Sequence, residues 1–280
     1  MKKVLCFGEI LWDSLPTGLF PGGAPFNVAC HLHKLGIKSN IASRLGNDTL
    51  GSIIKKRLTE KGMDTSLIQN DPVYPTGLVN VTLNSSGNAS YEIVNPAAWD
   101  FISEDKKLLD AAESSDVIVY GSLAQRNETT RNTLSKLLGL KKINVFDVNL
   151  RPPYDNREIV EKTLYQSTVI KLNNEELYTL SRWFGFQTEL KPAVYSLADK
   201  FGSNIICVTR GADGSALLMN NTWIEHPGFK VEVKDTIGSG DAFLAAFIDG
   251  MLKQKNAANI LKAANKLGSY VATRSGADIY

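Results

Sequence analysis

Short apolar runs alternate with segments of helical period along almost the whole chain, and this alternation limits the fold more than any other feature. Residues 4–7 form the first apolar run, which ends at Gly8-Glu9. Phe26, Val28, Ala29, Leu32 and Leu35 then share one helical face, and Gly36 stops the helix. A strand is predicted over 39–45. Asp48 caps a helix with Leu50, Ile53, Ile54 and Leu58 on one face, ended by Gly62. From about 103 the rhythm resumes. Helices are predicted near 103–113, 127–139, 156–166, from 174, and 191–202. Strands are predicted over 117–120, 144–148, 168–172 and 205–209. A hairpin over 216–219 and 223–224 turns at Asn220-Asn221, and a last long helix covers about 256–273. Such alternation predicts a mostly parallel sheet with helices packed on it. Two stretches break the rhythm. A loop after Glu9 holds Asp13, Pro16, Gly18, Pro21, Gly22 and Gly23. Residues 78–83 and 90–94 alternate apolar and polar around Asn84-Ser-Ser-Gly-Asn88, which predicts an antiparallel hairpin with one solvated face. That hairpin is a candidate lid, an ordinary edge hairpin being the plainer reading.

Composition narrows the function classes. At 280 residues and 43% hydrophobic content, the chain suits one large α/β domain. Its 31 basic and 29 acidic residues leave a net charge of +2 with no basic tract, so neither nucleic acid nor an anionic membrane is expected as partner. The apolar runs are too short and interrupted for a transmembrane helix. The N-terminus has the basic start of a signal peptide, but its apolar run stops at Glu9 with no small-residue cleavage site. Cys6, Cys30 and Cys207 are far apart and lack metal spacing, so a reducing, cytoplasmic setting is expected. His31 and His33, two apart on a helix, face different ways and make poor partners for one metal.

The chemistry concentrates in Asp235-Thr-Ile-Gly-Ser-Gly-Asp241. Val231 and Val233 alternate with Lys230, Glu232 and Lys234, predicting a strand end before it. Gly238 and Gly240 permit a tight turn or close backbone approach. Phe243, Leu244, Phe247, Ile248, Met251 and Leu252 then recur at helical spacing. Asp241 therefore lies at the mouth of a helix, where unpaired backbone N–H groups favour an anion such as a phosphate. A carboxylate there can also take a proton from a hydroxyl nucleophile. The plainer alternative makes Asp241 a helix cap. Other polar clusters follow strand ends: Glu9 and Asp13; Gly121-Ser122; Asp147, Asn149 and Arg151; Asn173 and Glu176; Thr209 to Gly211. In a parallel sheet ligands gather at those ends, so the repetition points to one extended cleft. There is no P-loop motif, and Gly238-Ser-Gly240 lacks the third glycine of a dinucleotide fingerprint.

The heptad resembles the D-T-x-G-A-G-D signature of the ribokinase-like (phosphofructokinase-B type) carbohydrate kinases, with Ser239 where that family usually has Ala. Gly22-Gly23-Ala-Pro25-Phe-Asn27-Val-Ala29, with Gly36 and Gly46 further on, is similar to the same family's N-terminal signature. Asp147-Val-Asn149-Leu-Arg151-Pro resembles the D-x-N-x-R-P segment of fructokinase-like members. The resemblance covers nearly the whole chain. It implies a three-layer α/β/α sandwich with a mostly parallel central sheet and a small β lid. Residues 1–280 would form one kinase domain, the lid built from about 13–21 and 74–98. It implies ATP-dependent phosphorylation of a sugar hydroxyl with Mg²⁺, fructose to fructose 6-phosphate leading. 2-Keto-3-deoxygluconate, ribose, nucleosides or a non-catalytic sugar sensor are the alternatives.

The resemblance also assigns residues. Asp241 would be the base, with Gly238, Ser239 and Gly240 as the anion hole and Arg151 on the phosphoryl group or the substrate; an ion pair with Asp147 is the structural alternative for Arg151. Glu9, Asp13, Gly22, Gly23, Asn27, Asp147 and Asn149 would hold the sugar. Asn173, Thr209, Gly211, Gly214, Gly240 and Asn265 would serve the nucleotide, and Glu176 the Mg²⁺ through water. The backbone of Asp235 and Ile237 would offer a K⁺ site. The lids are candidates to pair in a homodimer. The chain stops at Tyr280, soon after Thr273-Arg-Ser-Gly-Ala277, where family members usually continue; this bears on the adenine and cation contacts.

Overall fold

The computed structural model describes residues 2–15, 18–83 and 89–274. The described strands form two sheets. In chain order the first half runs β1 (Lys3–Phe7), β2 (Leu11–Leu15), β3 (Gly18–Gly22), α1 (Ala24–Lys34), β4 (Lys38–Gly46), α2 (Thr49–Glu60), β5 (Ile68–Asp71), β6 (Gly77–Leu83), β7 (Ala89–Ile93), α3 (Lys106–Glu113) and β8 (Val117–Gly121). The second half runs α4 (Glu128–Leu138), β9 (Ile143–Asp147), α5 (Arg157–Leu164), β10 (Val169–Asn173), α6 (Asn174–Phe184), α7 (Leu190–Phe201), β11 (Ile205–Thr209), β12 (Ser215–Met219), β13 (Thr222–His226), α8 (Ser239–Leu252) and α9 (Ala257–Ala272).

The large sheet has the order β13-β12-β11-β10-β9-β8-β1-β4-β5. Every pair from β11 to β5 is parallel, and the β11–β12 and β12–β13 pairs at one edge are antiparallel. Side chains of a strand alternate between its faces, and this alternation splits the core in two. Val4, Cys6, Val119, Val145 and Val169 pack with Phe26 of α1, Ile54 of α2, Leu244 of α8 and Leu261 of α9. Leu5, Phe7, Ile118, Phe146 and Ile170 pack with Leu108, Leu134, Val160, Leu177 and Val194 of α3 to α7. Helices thus cover both faces, giving the expected three layers.

The small sheet has the order β3-β2-β6-β7. Here the structure revises the sequence reading: the segment after Glu9 is not a loop but two antiparallel strands, β2 and β3, and β2 adds in parallel to β6. Gly18, Pro21 and Gly22 disguised β3, which as an edge strand tolerates both residue types. The 78–83 and 90–94 pairing is antiparallel as expected; its turn at 84–88 lies outside the described residues. The return limb is pinned to the body by buried Arg126, which donates to both oxygens of Asp100 at 2.7 Å and to the Val94 carbonyl at 2.7 Å.

Three further differences bear on the site. β5 is a four-residue strand whose short apolar content gave no signal. The strand expected at 231–234 is absent: residues 227–238 are neither helix nor strand, with Val231 39% and Val233 58% exposed. No sheet neighbour pairs with that stretch, and Lys234 N–H and Asp235 N–H instead donate to the Ala272 carbonyl at the end of α9. Asn220 and Asn221, by contrast, turn the last hairpin with φ of 49° and 64°, as an Asn-Asn turn between strands requires.

Candidate active site

The parallel strands bring their carboxyl ends to one edge of the sheet. Register aligns Phe7 with Tyr120, Gly121 with Asp147, and Asn173 with Thr209, so Glu9, Ser122, Asn149, Arg151 and Asn173 all follow on that edge. α8 begins here. Its N-cap is Gly238, with φ of 72°, a left-handed conformation that glycine adopts without strain. Ser239, Gly240 and Asp241 are its first three helical residues, so Asp241 does not cap the helix. Its carboxylate has another partner: Asn27 Nδ2 donates to Asp241 Oδ2 at 2.8 Å. The two residues are 214 positions apart, and the packing of α1 on α8 brings them together.

The glycine pair before α1 has a steric cause. A Cβ on Gly22 would collide with the Asp13 carboxylate, and one on Gly23 with the backbone of Glu9. The pair therefore lets two acids close on the chain. Glu9 is 2% exposed; its Oε1 accepts from Ala24 N–H at 3.2 Å, while its Oε2 is buried with no partner among the described residues. Asn27 Oδ1 is buried and unpartnered in the same way. Two acceptors held without donors beside Asp241 suit hydroxyl groups of a ligand.

Burial dominates the acidities. It pushes Glu9 up to about 7, with the Asp241 charge adding and Arg151 opposing. It pushes Asp13 up to about 6, again with Asp241 adding and Arg151 opposing. Asp241 rises to about 6 through burial first and the Asp147 charge second, offset by Asn27, Lys171 and Arg151. Arg151 is exposed, and its guanidinium donates to the Leu150 carbonyl at 3.3 Å. The ion pair considered between Arg151 and Asp147 does not form. Asp147 gives both oxygens to Lys171 Nζ, at 2.9 and 3.1 Å.

Lys171 is the site residue that the sequence reading missed. It sits mid-strand in Val169-Ile-Lys171-Leu-Asn173, 7% exposed, directly opposite Asp147 in the register of β9 and β10. A lone charge within an apolar parallel strand was the available signal, since a buried charge needs a partner. Burial alone would push its ammonium down; Asp147, Glu176 and Asp241 together hold it above the usual lysine range.

The nucleotide-side residues fall into three groups. Asn173 and Glu176 form a capping box: Asn173 Oδ1 accepts from Glu176 N–H and Glu176 Oε2 from Asn173 N–H, each at 2.8 Å, while Glu176 Oε1 accepts from Leu150 N–H at 3.1 Å. Both carboxylate oxygens are thus engaged by backbone, which suits contact with a metal through water rather than direct ligation. Among the described residues no group of three His, Cys, Asp or Glu is placed to hold a metal ion directly. Thr209 ends β11 and Gly211 lies in the β11–β12 connection with open space over it, whereas Gly214 is packed against the backbone of His226 and Gly228. Asn265 is buried in α9, its amide donating to Ser215 Oγ at 2.7 Å and the Leu261 carbonyl at 2.8 Å, so it is bound within the body of the fold. Asp235 Oδ1 accepts from Ile237 N–H at 2.9 Å, ordering the approach to Gly238. Asn149 has φ of 39°, and its carbonyl accepts from Ser122 Oγ at 3.1 Å.

Comparison with known proteins gives this geometry its relatives. A family described as pfkB family carbohydrate kinase matches residues 15–279. The uncharacterized sugar kinase PH1459 of Pyrococcus horikoshii is 30% identical over 246 residues, covering 84% of this chain and 74% of that protein. The fructokinase of Klebsiella pneumoniae is 28% identical over 296 residues, covering 98% and 94%. A double mutant of the Vibrio cholerae fructokinase, solved with fructose, ADP and potassium bound, superimposes with a TM-score of 0.84 at 26% identity, covering 99% of this chain and 94% of that one. Fold and neighbours together define a ribokinase-like α/β sandwich. The chain belongs to the pfkB family of carbohydrate kinases, phosphotransferases with an alcohol group as acceptor.

Proposed function

We propose that this kinase uses ATP to phosphorylate the 6-hydroxyl of fructose. The observation that carries the reading is the Asn27–Asp241 hydrogen bond, which joins the two signatures at the open N-terminus of α8. Glu9, Asp13 and Asn27 accept or donate to the sugar hydroxyls. Asp241 takes the proton of the attacking hydroxyl, whose oxygen forms the new bond to the γ-phosphorus as the bond to the ADP oxygen breaks. Backbone N–H groups of Gly238 to Gly240 receive the charge that collects on the transferring group. Arg151 approaches from the β9 side. Glu176 would hold Mg²⁺ through water, and the ion would supply charge neutralisation at the nucleotide phosphates. K⁺ at the backbone of Asp235 and Ile237 is part of the same proposal. The small sheet acts as a lid over the sugar. Fructose is supported by the D-x-N-x-R-P segment at Asp147 and by the fructokinases among the relatives. An ADP-release assay over fructose, ribose, 2-keto-3-deoxygluconate and nucleosides tests the reading. Fructose should give the highest kcat/KM; a clear preference for another acceptor would reassign the substrate, and no sugar-dependent turnover would sink the kinase mechanism.

A further inference from the structure

Lys171 has more reach than a structural ion pair explains. Its ammonium carries three hydrogens, and among the described residues its hydrogen bonds go only to the two Asp147 oxygens. The nitrogen lies against the first turn of α8: a Cβ placed on Gly240 would come within 3.2 Å of it. Its charge is felt at Asp241. A buried ion pair adds little net stability, because removing both charges from water costs about what their attraction returns. A cation held in the central sheet beside the N-terminal turn of α8 fits an anion better than it fits the core.

Resting on the kinase reading above, we propose that Lys171 is a further catalytic residue, donating its free hydrogen to an oxygen of the phosphoryl group as that group passes Gly240. Asp147 positions it, fixing the ammonium by two bonds so that the third hydrogen points along one direction. The ammonium keeps its proton throughout. The hydroxyl proton goes to Asp241, the new oxygen–phosphorus bond forms, and the electron pair of the broken bond stays on the ADP oxygen. Gly240 has no side chain in this arrangement because any Cβ would crowd the ammonium.

The test uses the full chain in two variants: Lys171→Met, and Lys171→Met combined with Asp147→Asn, which removes both charges of the pair. Turnover is measured with saturating sugar and ATP, and affinity for ADP is measured with and without beryllium fluoride, a mimic of the transferring phosphate. Both variants should lose about 10²–10³ in kcat, the range seen when one donor to a developing anion is removed. Both should also lose the extra affinity that beryllium fluoride gives the wild type. A double variant with kcat within about fivefold of wild type, or with that extra affinity intact, overturns the proposal and leaves the pair structural. The beryllium fluoride measurement stands without turnover. Should the wild type itself transfer phosphate to no sugar, it is the kinase reading that fails, and the phosphate-mimic result still decides whether Lys171 meets an anion.

Discussion

Asp241 carries the sharpest expectation at the scale of single residues. Asp241→Asn keeps the volume and leaves the helix N-terminus unchanged, because Gly238 and not Asp241 is the cap. It cannot take a proton, so kcat should fall by about 10²–10⁴ while sugar and ATP still bind. A variant with near-normal kcat would sink the assignment of the base. The same carboxyl sets an acid limb. It must be ionised to act, and burial places it at about 6. The rate should therefore fall about tenfold for each pH step below that value and level off above it; a profile flat down to pH 4.5 would contradict the role. Asn27 and Asp13 separate two contributions. Asp13→Ala should weaken sugar binding by about 1–3 kcal/mol, the usual cost of a lost buried hydrogen bond, with ATP affinity intact. Asn27→Ala should weaken sugar binding too, and also lower kcat, because Asn27 holds Asp241. Calorimetry with each ligand, set beside the kinetics, checks both.

Among the elements, the parallel strands and their helices were legible because each is a continuous apolar run or a helical stripe. β2 and β3 were not, since Gly18, Pro21 and Gly22 read as loop, while β3 pairs with β2 and β2 with β6, whose partners Leu11 and Gly77 are 66 positions apart. The strand expected at 231–234 failed for the opposite reason: its alternation is genuine, but no sheet edge meets it. The site shows the same division. Motif residues that act through glycine geometry, such as Gly22, Gly23 and Gly238, were visible in one dimension. Lys171 was hidden because its meaning lies in the residue across the sheet, Asp147. The small sheet carries its own expectation. Asp13 lies in β2, and Arg126 holds the Val94 carbonyl just after β7, so the sheet is tied to the body at that point. Deleting residues from 84–88 should raise the sugar KM and increase ATP hydrolysis relative to sugar phosphorylation if the small sheet acts as a lid that excludes competing water. Unchanged values for both would remove the lid role.

For the molecule as a whole, the cleft costs stability, and the cost has a definite pH dependence. Glu9, Asp13 and Asp241 are held near 7, 6 and 6, mainly by burial. In the unfolded chain the same acids ionise near 4. Between about 4 and 7 the folded protein therefore binds more protons than the unfolded one. Their contribution makes stability fall as pH rises across that window, opposed in part by His226, which burial holds below its usual range. Capped or paired acids such as Asp48, Asp71 and Asp116 lie below their usual range and act in the other direction, but only as pH falls below about 4. The ligand-free protein should thus be most stable near pH 4–5 and melt several degrees lower at pH 7.5, as about 1 kcal/mol moves Tm by roughly 2–4 °C in a chain of this size. Sugar should narrow the gap, because hydroxyls that donate to the buried Glu9 Oε2 would favour its ionised form. Glu9→Gln should narrow it without sugar, since the amide never ionises. Thermal melts at pH 5.0 and 7.5, with and without fructose, decide the matter. A Tm that rises steadily to pH 7.5 in the ligand-free wild type would mean that these acids ionise freely in the fold, and would remove the electrostatic strain assigned to the cleft.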